Sequence, residues 1–516
     1  MNKLTFSTYT KEHGGRVSLL FLLFLLAIYE LTTSGFNAFA IICLSPLLVL
    51  PLVITFQRSN WIFWILIIVN AFLQNKNTPF PGPMSLYNEL LEIVLLATAL
   101  IDVKNSHFER AGNLMLFTLL IWCGYCTLQI LNDTCSLGMD AGAWYTGARL
   151  MAFQILYAFL VFSLYISKPD ILIKYLYIWG ALSLFAAYWV WKQKNMGFTP
   201  AESSFINGRG RLTHVLQGGS LIRYFSTYSD AANFGIGIAS TAVAFIIFGI
   251  TAKIRRLKIF LLIVGGAAAW AMFPSGTRTA IACLMAGLMT YIFLSKSFKI
   301  AVPFSIIFGL FAFILVFTKI GDGNQSIHRM RTAFDKNDAS ASVRTANQEA
   351  MKKYLKEAPF GIGIAQGYGS VPANNKYALM STIPADSEYV YIWIRTGQVG
   401  ITLFLICTAI MWVGACWIVL FTLKSSSLRG IGAGFCCAFV SFQLGGYGNQ
   451  VLMQFPNCLQ FYGGLTIVYV LPYIEEEWIN YENNILKTQA EKRRLRLEEI
   501  EKMRVKPWYS WIYKYL

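Results

Sequence analysis

Apolar stretches of about twenty residues recur along most of the chain and are separated by short polar breaks. A helix rises about 1.5 Å per residue, so each stretch is long enough to cross roughly 30 Å of hydrocarbon. The pattern predicts an all-α polytopic membrane protein with about fourteen transmembrane helices. We place these at residues 17–34, 37–56, 60–74, 87–102, 112–130, 145–166, 171–191, 230–250, 257–273, 278–295, 299–318, 398–423, 429–446 and 458–474.

The first apolar stretch, Val17 to Leu31, follows basic residues and could be a cleaved signal peptide. Hydrophobicity resumes at once and continues through Phe56. A helical hairpin is therefore the better interpretation.

Basic residues in the connections test this topology, because short cytoplasmic loops of membrane proteins are enriched in Lys and Arg. The basic connections all fall on one side, which predicts that both termini are cytoplasmic. On the opposite side lies an external loop at 319–385, long enough to be translocated whatever its charge. We expect a transmembrane domain at 1–474, followed by a cytoplasmic basic amphipathic tail at 475–516 on the inner membrane surface.

Composition agrees with a membrane location, since 56% of the residues are hydrophobic and only 13% are charged. Lys and Arg outnumber Asp and Glu by 43 to 26, a net charge of +17. Topology and attraction of the tail to membrane lipids explain this excess, and no nucleic-acid-binding motif is visible. We expect no nucleic acid partner.

Ionisable residues collect toward the external ends of the predicted spans, among them Arg149, Arg223 and Arg278. Such residues are costly near lipid and mark functional sites by default, although some only anchor helix ends. A guanidinium forms paired hydrogen bonds to phosphate, so several arginines at one membrane face suggest an anionic head group. Glu89 and Glu92 share one helix face, and His214 is expected at the surface.

The sharpest local signal is the hairpin Phe273-Pro274-Ser275-Gly276-Thr277-Arg278-Thr279, which sets Arg278 at the start of an apolar helix. Backbone N–H groups and the helix dipole make such a start favourable for an anion. Its Ser-Gly-Thr-Arg-Thr sequence resembles the Ser-Gly-Ser-Arg-Gly signature of the O-antigen polymerase and ligase family. Three further elements resemble that family in the same order: Arg344, Ala358-Pro359-Phe360-Gly361-Ile362-Gly363, and the stretch from Glu388 through Arg395 to Gly400.

The resemblance covers about residues 220 to 420 and implies a bacterial inner-membrane glycosyltransferase with its active site on the periplasmic face. Its donor would be an undecaprenyl-pyrophosphate-linked oligosaccharide, with Arg278, Arg344 and Arg223 stabilising the pyrophosphate. Neither a metal nor another cofactor is expected. Glu388 and Asp386 are the candidate catalytic carboxylates, with Arg278 as a third catalytic residue. Arg149, Tyr228 and Tyr389 complete the expected substrate site.

The chain departs from the ligase pattern where ligases carry a His, since Ala385-Asp386-Ser387-Glu388 stands there. This favours a polymerase of lipid-linked repeat units of O-antigen, capsule or exopolysaccharide, with a chain-length regulator as a further partner. Two alternatives stay open. One is a ligase that transfers glycan to lipid A core or protein, and the other is a polysaccharide flippase.

Overall fold

The computed structural model describes residues 61–77, 84–216, 221–296, 339–383 and 387–505, with isolated positions elsewhere. The predicted hairpin at 17–56 and most of the predicted span at 299–318 lie outside this part of the chain. Of the described residues, 78% are helical, which confirms the all-α fold class for this part of the chain. A two-stranded antiparallel ladder, Val215–Leu216 with Leu221–Ile222, is the sheet structure among the described residues.

Each predicted span that falls within the described residues coincides with a helix. Within the described ranges, seven helical segments are long and apolar enough to cross a membrane, and Trp61–Phe72 and Arg278–Leu294 are shorter apolar helices. The polytopic membrane architecture is thereby supported, while the number of spans stays a prediction. The longer helices are Trp61–Phe72, Met84–Ile101, Leu114–Leu128, Ala141–Ala148, Gln154–Tyr165, Pro169–Asn195, Pro200–Asn207, Ala231–Thr251, Arg255–Ala271, Arg278–Leu294, Ala339–Leu355, Glu388–Trp417, Ser426–Gly448 and Asn457–Val505.

Three of these helices pack closely and define the two ends of the bundle. Ala231–Thr251 runs antiparallel to Arg255–Ala271, with Gly249 against Leu262, and Gly434 of Ser426–Gly448 packs against Phe248. Small residues at such contacts let helix backbones approach closely. We call the end that carries the Phe273–Ser275 turn the turn end, and the end where Arg255 begins its helix the tail end.

The helix Asn457–Val505 continues without a break from the predicted span into the predicted tail. Its 49 residues would extend over about 70 Å. At the tail end it is fastened to the bundle: the Trp478 indole donates to Ser427 Oγ at 3.0 Å, and Lys253 Nζ lies 2.9 Å from Glu482 Oε2. Residues 475–505 therefore begin as a continuation of a packed helix, and their position on the membrane stays a prediction.

Candidate functional site

Arg223 holds the turn that precedes Arg278. Its guanidinium donates from Nε to the Ser275 carbonyl at 3.2 Å and from Nη2 to Thr277 Oγ1 at 3.0 Å. Its Nη1 donates to the Thr213 carbonyl at 3.0 Å. A planar fork of donors suits this task, because two of these bonds fix different parts of the turn and the third ties it to Thr213. Arg223 is thus engaged with the protein itself, and it sets the shape of the turn.

Arg278 begins its helix directly after this turn and is half-buried. The preceding Gly276 takes the left-handed backbone conformation, with φ of 57°, which lets the chain reverse before the helix. Thr277 makes no side-chain cap bond to the helix, and the first turn holds no acidic residue. The Thr277 hydroxyl instead donates to the Ala231 carbonyl at 2.7 Å. A guanidinium and a helix start without a capping side chain therefore coincide here.

The neighbouring helix start, at Ala231, is capped by protein groups. Asp230 Oδ1 accepts from Ala232 N at 2.8 Å and from Asn233 N at 2.9 Å. His214 Nε2 accepts the Ala231 N–H at 3.1 Å. Burial, together with the Arg223 charge, lowers the pKa of His214 to about 4, so the ring is neutral and able to accept.

The expectation of a surface position for His214 is wrong, since only 1% of the residue is exposed. Phe205 and Phe225 pack edge-on against its ring, at 5.2 and 5.4 Å between centroids. A short polar sequence around a lone His does not reveal such aromatic walls, which come from other parts of the loop.

The connecting segment at 449–456 joins the start of the Ala231–Thr251 helix to Glu388. Ser229 Oγ donates to Gln454 Oε1 at 2.6 Å, and Asn233 Nδ2 donates to the Phe455 carbonyl at 2.8 Å. On its other side, Glu388 Oε2 accepts the Leu452 N–H at 2.9 Å. The sequence predictions missed this segment. Its signal was a break between two apolar helices, where Asn449, Gln450 and Gln454 interrupt the apolar sequence.

Glu388 is buried, with 3% of its surface exposed, and its carboxylate accepts from the backbone of this segment at Leu452. Beside it, Ser387 Oγ donates to the Gly446 carbonyl at 3.0 Å and Tyr389 Oη to the Gln443 carbonyl at 2.9 Å. These contacts give residues 387–389 a positioning role at the turn end. Asp386 lies outside the described residues, and a catalytic role for either carboxylate stays a prediction.

The motif Ala358–Gly363 docks on a kink in the helix Glu388–Trp417. Gly397 has φ of 70° at the kink. The Ile362 N–H donates to the Ile394 carbonyl at 2.9 Å, and the Val399 N–H donates to the Pro359 carbonyl at 3.1 Å. A Cβ on Gly397 would collide with the Pro359 carbonyl oxygen. The glycines of these two motifs therefore serve one close backbone contact.

A cavity of about 310 Å³ lies beside this contact. It is lined by Arg395, Tyr391, Tyr368, Ser381 and Gln450, so it combines a cation, aromatic rings and uncharged polar groups. Arg395 donates to the Ile364 carbonyl at 3.1 Å, and its guanidinium lies 4.9 Å from the centre of the Tyr391 ring. Rings and amides of this kind suit a saccharide.

Arg149 belongs to a separate cluster. Its Nε lies 3.1 Å from Glu89 Oε1, and its Nη2 donates to Ser85 Oγ at 2.9 Å. Gln154 also donates to Glu89, at 3.0 Å. Arg149 lies in a π-helical turn, Arg149–Phe153, a feature that is frequent at functional sites. Glu89 already pairs with the charge of Arg149. Arg149 is therefore less available to bind a phosphate than its predicted role in the substrate site requires.

The remaining predicted residues are distributed around this end. Tyr228 is buried and packs edge-on against Phe234, at 5.3 Å between ring centres. The Tyr228 ring therefore has no open face for the predicted stacking on a sugar in this conformation. Arg344 lies on the Ala339–Leu355 helix, whose Met351 packs in the same cluster as Ile362. The structure thus joins Arg223 to the Arg278 turn, and it links the neighbouring helix start, at Ala231, through 449–456 to Glu388.

Comparison with known proteins places this geometry in context. The O-antigen ligase family model matches residues 266–405, which include the turn, the Ala339–Leu355 helix, the Ala358–Gly363 motif and the kinked helix start. This confirms the resemblance to the O-antigen polymerase and ligase family over that segment. None of the curated proteins compared with the chain matches it.

Proposed function

We propose, from the match to the O-antigen ligase family over residues 266–405, that this membrane protein polymerises lipid-linked saccharide repeat units. The match supports a membrane glycosyltransferase of the O-antigen ligase and polymerase type. The observation that carries the proposal is the turn before Arg278, held in place by two hydrogen bonds from Arg223. A turn fixed in this way holds its charge ready before the substrate arrives.

The proposed donor is an undecaprenyl-pyrophosphate-linked oligosaccharide. When its glycosidic bond to the pyrophosphate breaks, negative charge develops on the departing oxygen. We propose that Arg278, the N–H groups at its helix start and Arg344 stabilise that charge. Because arginines can neutralise a pyrophosphate, this scheme assigns no step to a metal ion or cofactor.

The acceptor is proposed to be the terminal hydroxyl of a second lipid-linked chain. Asp386 is our candidate for removing its proton, and Glu388 would act as a positioning residue through Leu452. The cavity beside Arg395 and Tyr391 is a suitable place for one of the sugars. The attack forms a carbon–oxygen bond at the donor sugar, releases the lipid pyrophosphate, and passes the hydroxyl proton to the base.

We further propose about fourteen spans in the bacterial inner membrane, with the turn end periplasmic and both termini cytoplasmic. The distribution of cations supports this orientation, since Lys253, Arg255 and Arg256 lie in the connection that opens the Arg255–Ala271 helix at the tail end. The loop at 319–385 would then lie in the periplasm, beside the turn.

A ligase is the second candidate, because the matching family model describes an O-antigen ligase. The absence of a His at residues 385–388 favours the polymerase. A flippase is the third candidate, and it would leave the length of each glycan unchanged.

The test is the length distribution of surface glycan in a deletion strain complemented with wild type or with Arg278→Ala. Single repeat units in the variant and a ladder in the wild type are the expected result. Normal ladders on the lipid carrier without attachment would identify a ligase. Repeat units retained on the cytoplasmic side would identify a flippase, and either outcome would overturn the polymerase assignment.

A further inference from the structure

A groove of about 1260 Å³ lies at the tail end. It lies between the helix Asn457–Val505 and the first turns of Pro169–Asn195 and Arg255–Ala271. The bundle side of the groove contributes apolar groups, with Ile173, Tyr177 and Leu257 in the wall. It is thus open to an amphiphilic ligand at the end opposite the turn.

The charge of this groove has a single sign. Five basic side chains line it, and no Asp or Glu is present among the described residues of its wall. All five belong to the exposed class of side chains. They are Arg255, Arg256, Lys492, Arg493 and Arg496.

Two of these cations stand where a helix dipole opposes them. Arg255 and Arg256 open the helix Arg255–Ala271, whose N-cap residue Ile254 has no capping side chain and whose first turn holds no acidic residue. The positive end of the dipole and its unpaired N–H groups thus add to two guanidinium charges. A bound anion would relieve this repulsion and accept those donors.

The geometry points to an anionic phospholipid as the occupant, with its phosphate among the five cations and an acyl chain along Ile173, Tyr177 and Leu257. The Arg255–Ala271 helix spans about 25 Å from the groove to the turn, close to the thickness of the hydrocarbon layer. The groove therefore lies at the level of a head-group layer. The inference does not depend on the reaction that the turn end catalyses.

Lipid binding to the purified full-length protein in detergent tests the inference. Native mass spectrometry would count bound phosphatidylglycerol, with phosphatidylcholine as the zwitterionic comparison. Phosphatidylglycerol is expected to bind more tightly than phosphatidylcholine. The double variant Arg493→Gln/Arg496→Gln is expected to weaken the binding of phosphatidylglycerol by about 25-fold, because each basic residue near anionic lipid contributes about fivefold in affinity. Arg494→Gln is the matched control, since Arg494 lies outside the groove wall and pairs with Glu498 at 3.1 Å.

Equal binding of the two lipids would overturn the inference. An equal loss in Arg494→Gln would also overturn it, because attraction would then follow net charge and not the groove. Inorganic phosphate at millimolar concentration serves as a competitor for the bound lipid. If it competes as effectively as phosphatidylglycerol itself, the acyl chain contributes nothing to binding, and a phospholipid is rejected as the ligand. Thermal unfolding of each variant in detergent checks that a lost signal does not reflect lost folding.

Discussion

The turn end and the tail end both carry several arginines, but they hold them differently. Arg223 and Arg395 at the turn end donate to backbone carbonyls, which fixes their charges relative to the helices. Arg493 and Arg496 at the tail end stand exposed on one helix. Fixed charge is suited to stabilising a transition state, whereas exposed flexible charge is suited to a fluid lipid surface. Arginine count alone therefore does not identify the reactive end.

The largest effect is expected from Arg278 at the turn end. Arg278→Ala should lower the rate of polymer formation by about a thousandfold, because one preorganised charge at a developing anion contributes this much. The measurement is the rate of lipid-linked product formation by purified protein. Arg494→Ala at the tail end is the control and should leave the rate within about twofold of wild type, as a surface substitution does. An equal loss in both variants would remove the distinction between the ends.

Glu388 sharpens the comparison, because Glu475 performs a similar task at the tail end. Glu475 Oε1 accepts the Lys424 and Ser425 N–H groups at 2.7 Å, as Glu388 accepts that of Leu452. Glu388→Gln keeps an acceptor and should retain activity within about tenfold, whereas Glu388→Ala should lose about a hundredfold. Glu475→Ala should lower thermal stability and leave product length unchanged. Complete loss in Glu388→Gln would instead make Glu388 the catalytic base.

Sequence patterns predicted much of this molecule, for physical reasons that particular residues make clear. Apolar windows located the helices, because the bilayer imposes their length. The hairpin around Arg278 was visible because Pro274 and Gly276 interrupt two apolar stretches. The backbone contact between Ala358–Gly363 and the kink at Gly397 could not be predicted, because it joins groups far apart in the chain. The pairing of Arg149 with Glu89 was equally hidden, since sequence gives no partner for a charge.

Gly397 tests the kink that shapes the turn end. Gly397→Ala should destabilise the protein by about 1–3 kcal/mol, since the residue has φ of 70° and its new Cβ meets the Pro359 carbonyl oxygen. Thermal unfolding in detergent measures the change. The control is Gly266→Ala in the helix Arg255–Ala271, where the added Cβ meets nothing within 4 Å and helix propensity should raise stability by about 0.5–1 kcal/mol. Unchanged stability in Gly397→Ala would reject the close contact.

The last prediction concerns pH, and its effect on stability develops only in acid. The pKa of His214 is lowered from 6.5 in the unfolded chain to about 4 in the folded protein, so the folded state prefers the neutral ring. The contribution of the neutral His214 ring to the free energy of unfolding is complete above pH 6.5. It is lost as the pH falls toward 4, by about 3 kcal/mol in total. Unfolding midpoints measured across this range should fall less steeply in His214→Gln. Equal slopes in the two proteins would refute the assignment.

The most direct test of the central claim is reconstitution of the purified protein with a lipid-pyrophosphate-linked repeat unit as the sole substrate. Polymerisation at the turn end predicts lipid-linked dimers and longer chains, together with released lipid pyrophosphate, and predicts that Arg278→Ala forms neither. If no longer product appears until lipid A core is supplied, and single repeat units then move to that acceptor, the protein is a ligase and the polymerase account is contradicted.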